Sequence, residues 1–245
     1  MQTNSTPFQN SRWRMIRTYS GLLIMFAAFF RPACAAAAGQ VLPAGPPLNS
    51  ASNSPASKTE QAVFAGGCFW GVQAVFQHTK GVINAISGYT GGTLPSPSYE
   101  KVSSGLTGHA ESVEVTFDPA EISYDRLLQI YFSVVHDPTQ LNRQGPDEGT
   151  QYRSEIFTTS GAQQRAAEAY IAGLEKAHIF AGRIVTRVEP LQTFYPAEAY
   201  HQDYVTLHPD NPYIRIYDLP KIDGLRKRFP DIYREQAVLV GESQR

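Results

Sequence analysis

Gln61-Ala62-Val63-Phe64-Ala65-Gly66-Gly67-Cys68-Phe69-Trp70-Gly71 is an apolar run broken by two glycines and followed by residues at helical spacing. The run before Gly66 has the length and composition of a buried strand. After the break, Trp70, Ala74 and Val75 share one face of a helix that reaches His78, and Lys80-Gly81 ends it. Cys68 therefore falls where a strand turns into a helix. Working outward, Val82 to Tyr89 reads as a second strand closing in the Thr90-Gly91-Gly92 turn, and Glu111 to Phe117 alternates as a half-buried third strand. Ser123 is placed to cap a helix through Leu127, Leu128, Ile130, Tyr131 and Val135. Ile156-Phe157-Thr158-Thr159 is the next strand, Ser160 caps a long helix from Ala162 to Ala177, and Ile184 to Val188 forms a last strand. Such alternation predicts one α/β (α+β) domain, a two-layer sandwich with a mixed sheet flanked by helices. The polar stretch 136–153 is a long loop, and long loops inside a compact domain usually serve function.

The chain has 245 residues, 42% of them hydrophobic, with a net charge of −1. That balance excludes a wholly disordered chain and offers no basic surface for nucleic acid. The charge is unevenly spread. Residues 1–57 carry Arg12, Arg14, Arg17 and Arg31 and no acid, so the remainder holds 17 basic against 22 acidic residues. Three of those arginines precede GLLIMFAAFF at 21–30, and the small-residue stretch RPACAAAAGQ follows. This is the order of a secretory signal, with cleavage expected after Ala35 or Ala37. The apolar run is shorter than the ~20 residues of a permanent span, so no stable membrane anchor is expected. Arg31-Pro32-Ala33 before Cys34 argues against lipidation. Residues 38–58, with Pro43, Pro46, Pro47 and Pro55 among Ser, Asn and Ala, read as a flexible linker. The expected organisation is a signal at 1–37, that linker, a catalytic domain at 59–235 and a tail at 236–245. Export places the protein in the periplasm or outside the cell.

Only two cysteines occur, Cys34 and Cys68. Signal cleavage leaves Cys68 as a lone thiol in an oxidising compartment, where a single thiol reads as reactive. At the first turn of a helix, free N–H groups and the helix dipole are expected to favour its thiolate. Phe69 and Trp70 place two aromatic faces beside the sulfur, a surface suited to a methyl or a soft sulfur. Read singly, each of those rings serves equally well as core.

GGCFWG at 66–71 resembles the active-site signature of the A-type peptide methionine sulfoxide reductases. Further segments match that family in order: Gly88-Tyr89-Thr90-Gly91-Gly92, Pro97-Ser98-Tyr99, Gly108-His109-Ala110-Glu111, Gln144 to Ser154, and Tyr200-His201-Gln202-Asp203-Tyr204. They span roughly residues 60–205, with a family-like tail to about 235. The resemblance implies a ferredoxin-like core and reduction of the S epimer of methionine sulfoxide, free or in oxidised proteins. It implies that Cys68 attacks the sulfoxide sulfur and becomes a sulfenic acid, while Phe69 and Trp70 hold the S-methyl group. Glu111 then protonates the sulfoxide oxygen, Tyr99 and Tyr152 hydrogen-bond to it, and Asp147 positions the substrate. The chemistry asks for those types. A sulfoxide oxygen leaves only when protonated, and a glutamate can supply the proton only if burial raises its pKa. Phenols stabilise charge on oxygen without competing as nucleophiles.

Two departures from the family pattern matter. Pro146 stands where asparagine is common, and no cysteine follows Cys68 to resolve a sulfenic acid as an internal disulfide. A one-cysteine enzyme is expected. It has no bound cofactor, works as a monomer, and is recycled by an external thiol such as a thioredoxin-like protein or glutathione with glutaredoxin. His109, His136, His201 and His208, with Asp137 and Asp203, lack metal-site spacing, so no metal is expected, and His201 and Asp203 read as core or pocket-edge groups. Two rivals remain open on the residues alone. One is a one-cysteine peroxidase or thiol transferase, which shares the sulfenic intermediate. The other is a binding module with an inert Cys68.

Overall fold

A computed structural model describes residues 59–241. The segments read as signal peptide and linker lie outside the described residues.

Four strands form the centre of the sheet: β1 (Glu60–Gly66), β2 (Val82–Thr90), β3 (Ala110–Phe117) and β6 (Ser154–Thr158). They lie in the order β6-β1-β3-β2, every neighbouring pair antiparallel. This is the ferredoxin-like order. α1 (Phe69–Gln77) joins β1 to β2 across β3, and α3 (Tyr124–Ile130) leaves β3 and continues in a π-helical turn, Tyr131–Val135. Two short strands extend the sheet: β7 (Arg187–Pro190), parallel to β6, and β8 (Tyr195–Pro196), antiparallel to β2. The parallel pair at one edge makes the sheet mixed.

β1 shows why the opening run decides the fold. Ala62 and Phe64 join the main core, where the Phe64 ring stacks on Phe76 of α1 at 5.2 Å and on Tyr131 at 5.0 Å. The alternate residues Val63 and Ala65 meet Phe157, with Leu191 and Phe194 packed over them, on the other face. A strand covered on both faces has no polar side to show, hence its unbroken apolar reading. β3 differs from the expected half-buried pattern in its first half, where Glu111, Ser112 and Val113 are all buried. Its central position between β1 and β2, under the first turn of α1, covers both faces there.

α4 (Gly161–Lys176) covers the same face as α1 and α3 with Ala166, Ala167, Tyr170 and Leu174. Ser160 caps it as expected, its Oγ accepting the Gln163 N–H at 3.2 Å, a contact worth about 1 kcal/mol. Gln163 also donates from Nε2 to the Gln61 carbonyl at 2.7 Å and so ties the helix to β1.

Several elements were not legible in the sequence. The strand expected at Ile184 begins instead at Arg187, where pairing with Glu155 of β6 starts. The polar loop is not structureless. It folds as the hairpin β4 (Arg143–Gln144) and β5 (Asp147–Glu148), followed by a 3₁₀ turn at Thr150–Tyr152. α2 (Tyr99–Ser103), a 3₁₀ turn at Ala199–His201, α5 (Tyr204–Leu207), a π turn at Ile214–Asp218 and α6 (Leu219–Arg228) complete the chain. Beyond α6, Arg234 N–H donates to the His78 carbonyl at 2.9 Å and Val238 N–H to that of Gln77 at 3.1 Å, so the chain returns along the end of α1.

Candidate active site

The turn between β1 and α1 sets the thiol in place. Gly67 has φ of +92°, the left-handed region that favours glycine, and a Cβ there would meet Gln144 Cβ at 2.6 Å. Cys68 is the N-cap residue of α1, with no side-chain capping bond, and is 9% exposed. The sequence placed it correctly at the helix start but mistook its charge state. Burial pushes the thiol well above its ordinary value, and the carboxylates of Glu111 and Asp218 push it further. The Trp70 N–H and the Lys221 ammonium pull the other way and are outweighed. Desolvation of a sulfur anion overcomes the helix N-terminus, so Cys68 rests as a thiol.

Glu111, on β3, reaches the same turn. Its Oε2 accepts the Phe69 N–H at 3.0 Å, and its residue is 2% exposed. Burial raises its pKa from 4.5 to about 8, with a smaller push from Asp147, against the lowering effect of the Phe69 N–H. A neutral carboxyl at the first turn of the helix that Cys68 caps can give a proton beside a sulfur. Two phenols complete this wall. Tyr152 ends the 3₁₀ turn and Tyr99 opens α2. Burial raises both phenols, and Glu111, Cys68 and Asp147 raise both further, so each stays protonated and can donate. Glu198 holds Tyr99 by accepting its backbone N–H at 2.9 Å, and also accepts the Tyr89 hydroxyl at 2.9 Å.

The aromatic pair divides its work. Phe69 is buried against Tyr89, ring centroids 5.8 Å apart, and against His201 at 5.1 Å. Trp70 is half-buried and fixed on three sides. Its indole stacks on Tyr204 at 3.8 Å and 7°, meets the Tyr213 ring edge-on at 6.1 Å, and donates from Nε1 to His201 Nδ1 at 3.2 Å. That bond places the imidazole proton on Nε2. Burial lowers the His201 pKa, which keeps the ring neutral. Asp147, on β5, accepts the Tyr213 hydroxyl.

All seven residues singled out in the sequence, Cys68, Phe69, Trp70, Tyr99, Glu111, Asp147 and Tyr152, thus converge on one end of α1 through these bonds and shared electrostatic contacts. His201 lies at the pocket edge, as read. Asp203 is tied instead to Gln77 Nε2 at 2.6 Å, behind the helix. Sequence reasoning missed Glu198, Tyr204, Tyr213, Asp218 and Lys221. Tyr204 stood in a quoted motif and could have been found there. The other four carried no local signal. Among the described residues no three His, Cys, Asp or Glu side chains are grouped to hold a metal, and no helix is long and apolar enough to cross a membrane.

Comparison with known proteins agrees with this geometry. The family described as peptide methionine sulfoxide reductase matches residues 60–232. The peptide methionine sulfoxide reductase MsrA 2 of Mesorhizobium japonicum is 58% identical over 182 residues, 74% of this chain and 93% of that one. Among solved structures, methionine sulfoxide reductase A of Corynebacterium diphtheriae is similar with a TM-score of 0.56 and 37% identity, over 63% of this chain and 77% of that one. Mxr1 from Saccharomyces cerevisiae in reduced form gives 0.59 and 32%, over 65% of this chain and 91% of that one. With a buried cysteine, a neutral glutamate and two phenols meeting at the start of α1, and with these relatives, the chain belongs to the A-type peptide methionine sulfoxide reductase family, an oxidoreductase acting on the S epimer of methionine sulfoxide.

Proposed function

We propose that Cys68 is the nucleophile, Glu111 the acid, Tyr99 and Tyr152 the donors to the sulfoxide oxygen, and Phe69 and Trp70 the seat of the S-methyl group, with Asp147 orienting the substrate. The observation that carries this reading is the buried Glu111 carboxyl on the Phe69 N–H, with its pKa raised to about 8 beside the thiol. At neutral pH it holds the proton that the sulfoxide oxygen needs. Sγ bonds to the sulfoxide sulfur, the protonated oxygen passes to Sγ, and methionine leaves with Cys68 as the sulfenic acid. An external thiol then attacks Sγ, water departs, and a second thiol releases the mixed disulfide. Overall one sulfoxide and two thiols give methionine, one disulfide and water.

The absence of any cysteine from 69 to 245 supports recycling from outside the domain, by a thioredoxin-like protein or by glutathione with glutaredoxin. Each methionine sulfoxide epimer is added separately to the prereduced full chain, freed of reductant. The expected result is about one methionine per enzyme from the S epimer alone, with Cys68 trapped as sulfenic acid and restored by added thiol. Hydrogen peroxide consumed with no methionine formed would give the reaction to a peroxidase.

The same reading sends the protein to the periplasm, on the order of basic, apolar and small residues in 1–37. A mature chain beginning at Ala36 or Ala38 is the expected result of N-terminal sequencing. An intact Met1 in the mature protein would refute export by cleavage.

A further inference from the structure

The epimers of a sulfoxide differ in where oxygen and methyl lie around the sulfur, so the spacing between oxygen donors and aromatic seat must be held. In this chain the two walls come from separate segments. Phe69 and Trp70 stand in the first turn of α1, while Tyr99 opens α2, a helix of five residues. Ser98 occupies the N-cap of α2 with no side-chain capping bond, so the residue that would ordinarily fix that first turn does not.

Glu198 spans the two walls. It is half-buried, and its carboxylate oxygens divide between them. Oε1 accepts the Tyr99 N–H at 2.9 Å, taking the place of the missing cap from 99 residues further along the chain. Oε2 accepts the Tyr89 hydroxyl at 2.9 Å, and the buried Tyr89 ring lies 5.8 Å from Phe69. The Glu198 carbonyl accepts the His201 N–H at 2.9 Å. That turn sets the imidazole 4.5 Å from the Tyr99 ring and brings its Nδ1 to Trp70 Nε1. Burial pushes the Glu198 carboxyl up, but the N–H groups of Tyr99 and of Glu198 itself, with the Tyr89 hydroxyl, outweigh it and hold the group below the usual carboxylate range. Glu198 is therefore an ionised double acceptor at neutral pH, and hydrogen bonds to a charged acceptor are stronger than neutral ones. Tyr152 has a separate brace, Arg153 Nη1 donating to the Thr150 carbonyl at 3.0 Å.

We propose that Glu198 is a positioning residue for the reduction, fixing Tyr99, and through its hydroxyl the sulfoxide oxygen, at a set distance from the aromatic seat. This rests on the assignment of Tyr99 and Tyr152 as donors to that oxygen. Glu198 acts through Tyr99 and exchanges no proton with the substrate. One carboxylate thus ties the backbone of an oxygen donor to the phenol packed on the methyl seat.

The two phenols allow a test that a merely structural role would not pass. Single-turnover methionine formation from the S epimer is measured in the full chain for Glu198→Ala in two backgrounds. In Tyr152→Phe, where Tyr99 is the phenol left at the oxygen, Glu198→Ala is expected to slow the reaction about tenfold, with half-saturation changed less than about twofold. In Tyr99→Phe there is no hydroxyl for Glu198 to place, and the same substitution is expected to cost less than about twofold. Glu198→Gln keeps an acceptor for the Tyr99 N–H and can donate to the Tyr89 oxygen, so it recovers most of the rate in Tyr152→Phe. Equal factors in the two backgrounds, large or absent, would overturn the proposal, as would a loss confined to half-saturation. If Glu198→Ala does not fold, Glu198→Asp, one methylene short of both donors, goes through the same pair with the same difference required. Tyr99→Phe combined with Tyr152→Phe tests the underlying assignment. Parent-like turnover there sinks both donors and this proposal with them, whereas a slow double variant with equal Glu198 factors sinks the proposal alone.

Discussion

Glu111→Gln forms methionine about 10²–10⁴-fold more slowly than the parent at pH 7 and keeps its fold. The amide oxygen can still accept the Phe69 N–H that Oε2 accepts at 3.0 Å, and the uncharged group suits a residue that is 2% exposed. What the amide lacks is an acidic proton. The parent's rate falls as pH rises through about 8, where Glu111 loses that proton, and the glutamine variant lacks this descending limb. Stability of the parent falls with rising pH as well. The folded pKa lies above the unfolded value of 4.5, so the folded state binds this proton more tightly. Its contribution is fully present below pH 4.5 and is lost as pH rises through about 8. Relative to the parent, Glu111→Gln therefore gains stability across that window, read as Tm against pH. A variant with full activity at pH 7 would take the acid role from Glu111.

Cys68→Ser is expected to form no methionine above the uncatalysed background from either epimer. A hydroxyl cannot accept the sulfoxide oxygen as a sulfenic acid, and Cys68 is the free cysteine of the described domain. The loss is not one of folding. Cys68 caps α1 without a side-chain bond, and serine is among the preferred residues there. The variant should hold or gain stability, by up to about 1 kcal/mol. Equal Tm with abolished turnover is the pattern that identifies a nucleophile. Residual turnover near that of the parent would show that the chemistry lies elsewhere.

Where the sequence was legible, short-range physics explains it. β1, the start of α1 and the caps at Ser123 and Ser160 depend on residues within a few positions of one another. Their Oγ atoms accept from the N–H groups three residues on, as the local pattern requires. The reading of β7 from Ile184 missed by three residues because its start depends on pairing with β6, which local composition does not reveal. The stretch 136–153 read as loop because its hairpin β4–β5 is two residues a side and charged, with no alternation to detect.

The site divides along the same line. The sequence by itself determined the domain's lone thiol, its place at a strand-to-helix turn, the family, and the lack of a cysteine after it. All of these are properties of residue type and order. Tertiary structure alone decided the charges. The helix terminus argued for a thiolate, but burial and two carboxylates from residues 111 and 218 leave a thiol. Glu111 became an acid only because β3 carries it under the first turn of α1. Asp218 and Lys221, some 150 residues from Cys68 along the chain, reach it only because the C-terminal segment folds back over α1. Desolvation and Coulomb interactions depend on distance in space, and sequence order records that distance only for near neighbours.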